Sequence, residues 1–536
     1  MENKNGYSFL TCIIMLLVGL LAGSYIERRN HANRFFVSNA SSKIEEVMGY
    51  IDNDYVDSVD NAKIEDAAVT AMLEELDPHS QYVPKEEFDA MNDPLLGNFE
   101  GIGVAFRIEK DTVAIINTIK GGPSERIGIQ DGDRIVYVED SLIAGVGIKN
   151  DDVMRLLKGP KGTKVKVKVA RRDTDQLFEY TIKRDVIPTY SVVASFMLSD
   201  DIGFVKLDKF SATTYDEFVE AVKKLSNAGM KKLVLDLRDN SGGYLGAAVD
   251  LAGEFLPSGS LIVYTEGRNR PRQTIKARRY TSLHGRLVDV PVAVLINDGS
   301  ASASEIVAGA LQDNDRSLTI GRRSFGKGLV QEQIMLNDNS AIRLTVARYY
   351  TPLGRSIQKP FSDDREKYFY ESYERYGNGE LFSADSIHFN DSVEYVTPKG
   401  KVLYGGGGIM PDIYVPLVDD STQYYFNKIV NSGLMHQFAF DYSDSHRQQL
   451  LKYENAQGFE KSFRVTDEMF EQLVEQAKAK NIEGNDEERK FARKQSNVLL
   501  KAYIGRNIYG DECFYRLYQP IDDILQRAIE ELDKQN

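Results

Sequence analysis

The sequence is poor in the residues that build disulfide frameworks and metal sites. It has two cysteines, Cys12 and Cys513, no tryptophan, and six histidines that lack the spacing of metal ligands. Because Cys12 lies in an apolar N-terminal stretch, we expect neither an intrachain disulfide nor a cysteine-based metal site. A histidine-based zinc site or a Ser-His-Asp triad stays open, but no histidine pattern points to one.

The chain also lacks an excess of basic residues. Its 66 Lys and Arg residues stand against 80 Asp and Glu, a net charge of −14. This balance argues against nucleic acid as a partner, because proteins that bind nucleic acid present a basic face. With 536 residues, of which 42% are apolar, the chain is long enough for several domains with their own cores.

Long apolar runs are rare, with one exception at the N-terminus. Residues 7–26, YSFLTCIIMLLVGLLAGSYI, are almost uninterrupted apolar sequence, and a membrane span needs about 20 such residues. We expect an uncleaved membrane anchor within residues 1–29, with the rest of the chain exported. A cleaved signal peptide is the alternative, since LLAGS offers small residues for cleavage.

The periodicity of the remaining chain changes several times. The remaining chain begins with apolar residues at helical spacing and continues with short strands and glycine turns. Alternating strands and helices follow, and then more helices. This succession indicates a multidomain α/β protein. The polar, tyrosine-rich segment 362–400 is expected to leave the core and not to touch the catalytic residues. The predicted regions are an N-terminal helical region (30–94), a β domain (95–187), an α/β core (188–416) and a C-terminal helical extension (417–536).

The order of strands and helix in residues 95–187, with GIGV near its start, resembles a PDZ domain. The resemblance implies that the loop of Gly101, Ile102, Gly103 and Val104 offers backbone amides to the terminal carboxylate of a peptide. The peptide would then add as a strand beside the domain's helix. A small β-sandwich without a ligand is the alternative.

A serine-rich segment, NDGSASASEIVAGALQDND, follows the apolar strand VPVAVLI. Ser302 and Glu305 have the spacing of a capping box, and this feature taken alone favours a purely structural cap. The segment lies, however, at the end of a buried strand, where helix amides and the helix dipole could stabilise a developing oxyanion.

A serine nucleophile needs a base, and Lys327 in SFGKGLVQ is a candidate because burial can keep a lysine neutral. The helix after Ser302 advances roughly 18 Å and the next strand returns about 20 Å, which would bring Lys327 beside the start of the helix. Gln331 could hydrogen-bond the amine. Upstream, the turn of DLRDNSGG offers glycine amides as oxyanion donors.

These motifs together resemble the carboxyl-terminal processing peptidases, or tail-specific proteases. LDPHSQY at 76–82, ARYYTPLGRSIQ at 347–358 and GGGIMPDI at 406–413 fit the same family, and the resemblance covers residues 34–416. It implies a Ser-Lys mechanism on a crotonase-like β/α core, with no metal or other cofactor. It assigns Ser302 as nucleophile, Lys327 as general base, Gln331 as the residue that orients the base, and Gly242 and Ala303 as oxyanion donors.

The resemblance leaves Gly243 as an alternative donor and gives Ser300 and Ser304 supporting or capping roles. It also implies an endopeptidase of the cell envelope that processes protein C-terminal tails. Residues 30–94 would join copies of the chain into a homodimer or larger oligomer, and an adaptor protein that activates the enzyme is a further possible partner. A catalytically silent PDZ scaffold and a crotonase-type acyl-CoA enzyme are the alternatives. The intact Ser302, Lys327 and Gln331 argue against the scaffold, and the export signal argues against CoA chemistry.

Overall fold

The computed structural model describes residues 43–172, 174–278, 282–361, 364–387, 393–418 and 420–535. The predicted anchor at residues 7–26 lies outside them. Among the helices within these ranges, none has both the length and the apolar character needed to cross a bilayer. The chain divides after Met72 into two compact units.

The apolar spacing predicts two helices near the start of the described chain, and both are present: α1 (Lys43–Asp54) lies in the first unit, and α2 (Asn61–Glu74) begins there. No residue of α1 is buried. Ile44 and Val47, three residues apart, are both exposed. Among the described residues, helix α1 therefore presents exposed apolar side chains at helical spacing.

The second unit begins with short elements and an antiparallel β domain. Strand β2 pairs with β9, so residues 102–184 form an insertion whose two ends lie side by side. Within it, β7 is buried at every second residue, as expected of a strand with one face on a core. The elements are β1 (Gln81–Val83), α3 (Phe88–Leu96), β2 (Asn98–Gly101), β3 (Val104–Glu109), β4 (Thr112–Thr118), α4 (Pro123–Arg126), β5 (Arg134–Val138), β6 (Ser141–Leu142), α5 (Asn150–Leu157), β7 (Lys164–Ala170), β8 (Leu177–Lys183) and β9 (Asp185–Pro188).

The α/β core follows. Its elements are β10 (Val192–Met197), β11 (Ile202–Leu207), α6 (Thr214–Asn227), β12 (Lys232–Asp236), α7 (Leu245–Gly253), β13 (Leu261–Gly267), β14 (Arg270–Lys276), β15 (Val292–Ile296), α8 (Ala303–Asp313), β16 (Leu318–Gly321), β17 (Leu329–Met335), β18 (Ala341–Tyr350), α9 (Arg365–Gly377), β19 (Tyr395–Val396), β20 (Val402–Leu403) and β21 (Ile413–Tyr414).

The main sheet of the core has the order β10-β11-β12-β15-β16-β21 and is parallel except for the β10–β11 pair. Strands β11, β12 and β15 are buried along their whole length, the pattern of central strands covered on both faces. A second sheet joins β1, β18, β13 and β14, and β17 pairs with β18. The fold is thus mixed α/β, while the predicted kinship of the core with crotonase stays a prediction.

Helices follow β21 to the end of the described chain. They are α10 (Tyr424–Asn431), α11 (Leu434–Ser445), α12 (Arg447–Leu450), α13 (Ala456–Ser462), α14 (Asp467–Ala479), α15 (Asp486–Tyr509), α16 (Asp511–Tyr518) and α17 (Asp523–Asp533). Helices α6–α8 cover one face of the main sheet, and α17 covers the other with Ile524, Leu525, Ala528 and Leu532. The extension therefore completes the hydrophobic core of the α/β layer.

The helical extension also contacts the β domain. Asp444 on α11 pairs with Arg134 on β5 at 2.6 Å and with Arg172 at 3.1 Å. On β3, the Arg107 guanidinium lies 4.3 Å from the ring centre of Phe440. One helical module thus contacts both the β domain and the main sheet.

The prediction that residues 362–400 leave the core is wrong for helix α9. Its Tyr368 and Arg375 are only 4% and 1% exposed. The Arg375 guanidinium donates to the carbonyl oxygens of Ser324, at 2.9 Å, and Phe325, at 3.2 Å. Charged residues can be buried here because Glu371 pairs with Arg375 at 2.9 Å. Despite the polar composition of residues 362–400, helix α9 therefore packs on the segment that leads to Lys327.

Candidate active site

Ser302 lies at the C-terminal edge of the main sheet. Strand β15 ends at Ile296, and Ser302 is the residue immediately before α8. Its φ of +55° and ψ of −111° form a conformation that residues with a side chain rarely adopt. Such strain persists only where surrounding contacts enforce it, and it is concentrated at functional sites. The serine-rich segment thus presents a strained serine at the sheet edge.

The serines on either side of Ser302 are buried and tie the site together. Ser300 donates its hydroxyl to Leu237 O, and Ser304 donates to Asn240 O, each at 2.8 Å. Both bonds join the chain leaving β12 to the chain entering α8. These contacts agree with supporting roles.

Gly242 packs directly against Ser302. It has a φ of +100°, and a Cβ built on it would lie 2.7 Å from the Ser302 Cβ and 2.9 Å from the Ala303 nitrogen. Only glycine allows this approach without displacing the serine. The Gly242 amide donates to Asn240 Oδ1 at 2.9 Å. The Ala303 amide, by contrast, finds no acceptor among the residues that the structure describes.

Lys327 lies in the loop between β16 and β17. Its Nζ donates to Gln331 Oε1 at 3.1 Å, and Gln331 Nε2 in turn donates to the backbone oxygen of His79 at 2.5 Å. Burial lowers the pKa of Lys327, and the nearby charge of Arg343 lowers it further, whereas Asp77 and Glu305 oppose this shift. The site therefore favours the neutral amine more than water does. The predicted contact of Gln331 with the amine is present.

Glu305 joins the serine segment to the lysine loop. Its carboxylate accepts the amides of Ser302 at 2.8 Å, Lys327 at 2.9 Å and Gly326 at 2.7 Å, and the Ser324 hydroxyl at 2.6 Å. The side chain is fully buried, and burial raises its pKa to about 7 despite these donors. Its predicted bond to Ser302 is therefore only one part of a larger contact.

Tyr349 on β18 forms a second link between the same two residues. Its hydroxyl lies 3.0 Å from Ser302 O and 2.5 Å from Lys327 O, and its single proton serves one carbonyl at a time. Tyr349 is 1% exposed. Tyr349 lies within the motif ARYYTPLGRSIQ, but no role was predicted for it.

Two further residues, His79 and Tyr368, were not predicted as part of the site. His79 Nε2 lies 2.9 Å from the Tyr368 hydroxyl. Burial and the proximity of Lys327 lower the pKa of His79 to about 3, so the imidazole is neutral at neutral pH. The motif LDPHSQY was a signal for His79, whereas Tyr368 lies in the polar segment that was expected to leave the core.

The loop of Gly101 to Val104 leads into β3, an edge strand of the β domain's main sheet. Gly103 has a φ of +74°, which turns the chain sharply before the strand. Within the described part of the chain, no acceptor faces the amides of Ile102 and Gly103. The loop therefore has backbone donors beside an unpaired strand edge, as the PDZ resemblance implies.

Family models match three parts of the chain. The model of peptidase family S41 matches residues 201–366, which include Gly242, Ser302, Lys327 and Gln331. A PDZ domain model matches residues 101–182, and a family of unknown function, DUF8443, matches residues 425–510. The β domain and the core thus match the two kinds of domain that the sequence motifs resemble.

Curated relatives are carboxy-terminal processing proteases. The protease CtpA of Bacillus subtilis is 34% identical over 318 residues, which are 59% of this chain and 66% of the relative. The carboxy-terminal-processing protease of Bartonella bacilliformis is 37% identical over 322 residues, 59% of this chain and 72% of the relative.

Among solved structures, the photosystem II D1 C-terminal processing protease is 25% identical, with a TM-score of 0.36 over 70% of this chain and 88% of that one. The S41 family model spans the candidate site, and the Bartonella protease is 37% identical and is matched over 72% of its length. This chain belongs to peptidase family S41.

Proposed function

We propose that this chain is a serine endopeptidase in which Ser302 is the nucleophile and Lys327 the general base. The main observation in support of the proposal is that the carboxylate of Glu305 accepts the backbone amides of both residues, Ser302 at 2.8 Å and Lys327 at 2.9 Å. Fixing both backbones on one buried side chain provides the preorganisation that general-base catalysis requires. The lowered pKa of Lys327 adds a chemical reason, because only the neutral amine can accept a proton.

The reaction follows from these groups. Ser302 Oγ attacks the scissile carbonyl carbon while Lys327 Nζ takes the hydroxyl proton. The tetrahedral intermediate collapses, Lys327 returns the proton to the leaving amine, and the acyl group remains on Ser302 as an ester. Water then attacks the ester with Lys327 as base, and the second collapse releases the acid and restores the serine hydroxyl. Gln331 keeps the amine oriented through both steps.

Backbone amides would hold the oxyanion. The Ala303 amide needs no rearrangement to serve as a donor, because no described residue accepts it. The Gly242 amide donates to Asn240, so its use as the second donor requires exchange of that bond for the oxyanion. Gly243, the next residue of the same turn, is the alternative donor.

The PDZ domain would capture the C-terminal tail of a protein substrate. The amides of Ile102 and Gly103, which no described residue accepts, support this, since a terminal carboxylate is the ligand they suit. Calorimetry with a peptide ending in an apolar carboxylate tests the proposal. The same peptide with an amidated C-terminus, which lacks the negative charge, should bind far more weakly.

Two further parts of the proposal concern location and assembly. Residues 7–26 would anchor the chain with its catalytic unit outside the cytoplasm, where envelope proteins are the substrates. Helix α1 would mediate a homodimer, because its Ile44 and Val47 are exposed. Protease protection of the anchored chain tests the first, and sedimentation of a Val47→Lys variant tests the second.

The purified full-length chain, mixed with an unstructured protein ending in an apolar tail, tests the enzyme itself. Mass spectrometry should find cleavage products with the native chain and none with Ser302→Ala or Lys327→Ala. Replacement of the half-exposed Lys223, on α6 away from the site, is the matched control for the lysine. Equal cleavage by all variants would refute the proposed pair. Tail binding without any cleavage would favour the scaffold alternative.

A further inference from the structure

We infer that Tyr368, on helix α9, is a positioning residue for the general base and acts through Gln331 and the backbone of the lysine loop. The inference rests on the proposed Ser302–Lys327 mechanism and extends it to a part of the chain outside the family match. The S41 model ends at residue 366, within the first turn of α9, so Tyr368 lies beyond the matched segment. Its hydroxyl group lies where two hydrogen-bonded branches toward Lys327 meet.

The first branch runs through the His79 turn. The Tyr368 hydroxyl lies 2.9 Å from His79 Nε2, and the backbone oxygen of His79 accepts Gln331 Nε2 at 2.5 Å. Gln331 Oε1 then accepts Lys327 Nζ at 3.1 Å. Because Tyr368 restrains the His79 imidazole, it also restrains the His79 carbonyl group, which fixes the orientation of Gln331. Asp77 braces the same turn by accepting the His79 amide at 2.8 Å.

The second branch fixes the backbone of the lysine loop. Gln358 Nε2 donates to the Tyr368 hydroxyl at 3.1 Å, while Gln358 Oε1 accepts the amide of Gly328 at 2.8 Å. Gly328 directly follows Lys327. One hydroxyl group thus stabilises both the partner of the lysine side chain and the backbone beside it.

The proton count of the hydroxyl is consistent with both branches. Because Gln358 donates to Tyr368, the single phenolic proton can be donated to His79 Nε2. This requires a neutral imidazole with its own proton on Nδ1. The low pKa of His79 agrees with that requirement.

Residues outside helix α9 hold the Tyr368 ring firmly. The Lys359 ammonium lies 4.3 Å from the ring centre and donates to the backbone oxygen of Tyr368 at 2.8 Å. The rings of Phe325 and His79 approach it edge-on, with centroids 5.8 and 5.2 Å away. Such packing leaves the hydroxyl little freedom to choose other partners.

Loss of the hydroxyl should change the protonation of Lys327. The charged groups that act on its amine are Asp77 beside the His79 turn, Glu305 on α8 and Arg343 on β18, and His79 itself is neutral. With the His79 turn and Gln331 released, water can reach the amine, and solvation favours its protonated form. The pKa of Lys327 should then rise toward the value of a solvated lysine.

The test compares Tyr368→Phe with Tyr373→Phe in the full-length chain. Phenylalanine keeps the buried ring, and Tyr373 is a control on the same helix with 74% of its surface exposed. For Tyr368→Phe we expect kcat to fall between about 10- and 100-fold at neutral pH, KM to change little, and the rising limb of the pH–rate profile to move to higher pH. Tyr373→Phe should behave as the native chain does.

A second measurement does not depend on proteolysis. Competitive acetylation of Lys327, followed by mass spectrometry across pH, reports the pKa of its amine directly, and that pKa should be higher in Tyr368→Phe. Unchanged kcat, profile and acetylation in a folded Tyr368→Phe chain would overturn the inference, as would a loss confined to KM. If native cleavage does not depend on Ser302, the proposed function fails, and acetylation still decides whether Tyr368 positions Lys327.

Discussion

Glu305 accepts the backbone amide of Lys327 at 2.9 Å, although 22 residues separate them in the chain. The same carboxylate oxygen accepts the amide of Ser302 at 2.8 Å. The two residues proposed to perform the chemistry therefore do not depend on each other for their positions. A fully buried acid, which touches neither substrate nor proton in the proposed reaction, sets the distance between their backbones.

Replacement of Glu305 by glutamine should separate Ser302 from Lys327. In Glu305→Gln an NH₂ group would face backbone donors, so at least one buried amide loses its acceptor. We expect stability to fall by about 1–3 kcal/mol and kcat/KM to fall by about 100-fold. Denaturant unfolding and steady-state kinetics measure the two effects. Glu332→Gln on β17, where the side chain is 46% exposed, is the control and should change neither. An active, equally stable Glu305→Gln chain would contradict the role given to the carboxylate.

The acid dependence of stability should contain a contribution from His79. Its folded-state pKa of about 3 lies below the ordinary value of 6.5, so the unfolded chain binds a proton first as the pH falls. Stability from this residue is complete above pH 6.5 and is lost progressively between pH 6.5 and about 3. Curves of the free energy of unfolding against pH for the native chain and His79→Gln should therefore converge as the pH is lowered through this window. Parallel curves would show that His79 takes up its proton equally in both states.

The pH dependence of catalysis should respond to Arg343. Its positive charge lowers the pKa of Lys327, so Arg343→Gln should raise that pKa and move the rising limb of kcat/KM to higher pH. Activity below the limb falls because more of the lysine is protonated. Arg348→Gln, an exposed arginine on the same strand, is the matched control. A limb that stays in place in both variants would mean that another group titrates there.

A methyl group at Gly242 should disable the site. The φ of +100° disfavours alanine, and its Cβ would lie 2.7 Å from that of Ser302. We expect Gly242→Ala to lose nearly all activity and about 1–3 kcal/mol of stability, because a strained backbone and a contact with the nucleophile coincide. Gly246→Ala is the control: a Cβ there meets nothing within 4 Å, and alanine suits helix α7 better than glycine. Similar activity in both variants would argue against a close fit around Ser302.

Residues near one another in the chain, or joined by one helix and one strand, could be related from the sequence alone. The reach of the helix after Ser302 and of the following strand predicted that Lys327 returns to the helix start, and the four-residue spacing predicted its contact with Gln331. The bond from Glu305 to Ser302 was predicted in the same way. The roles of these residues stay proposals, but their proximity required only the pitch of regular elements.

The contacts made by His79 and Tyr368 could not be predicted in this way. They are 289 positions apart, and no local pattern states that their side chains meet. Segment 362–400 was misjudged for a different reason. Tyrosines, glutamates and arginines in succession are typical of a solvated surface, yet ion pairs such as Arg323 with Glu380 at 2.6 Å neutralise each other and allow burial. Composition cannot reveal charges that are paired across the fold.

Trapping of the acyl-enzyme tests the Ser302–Lys327 pair most directly. A peptide ester would be mixed with the full-length chain, the reaction quenched in acid within milliseconds to seconds, and the adduct mapped by peptide mass spectrometry. We expect an acyl group on Ser302 of the native chain, none on Ser302→Ala, and a strongly slowed appearance on Lys327→Ala. An adduct on any other residue, or turnover of the ester that persists in both variants, would contradict it.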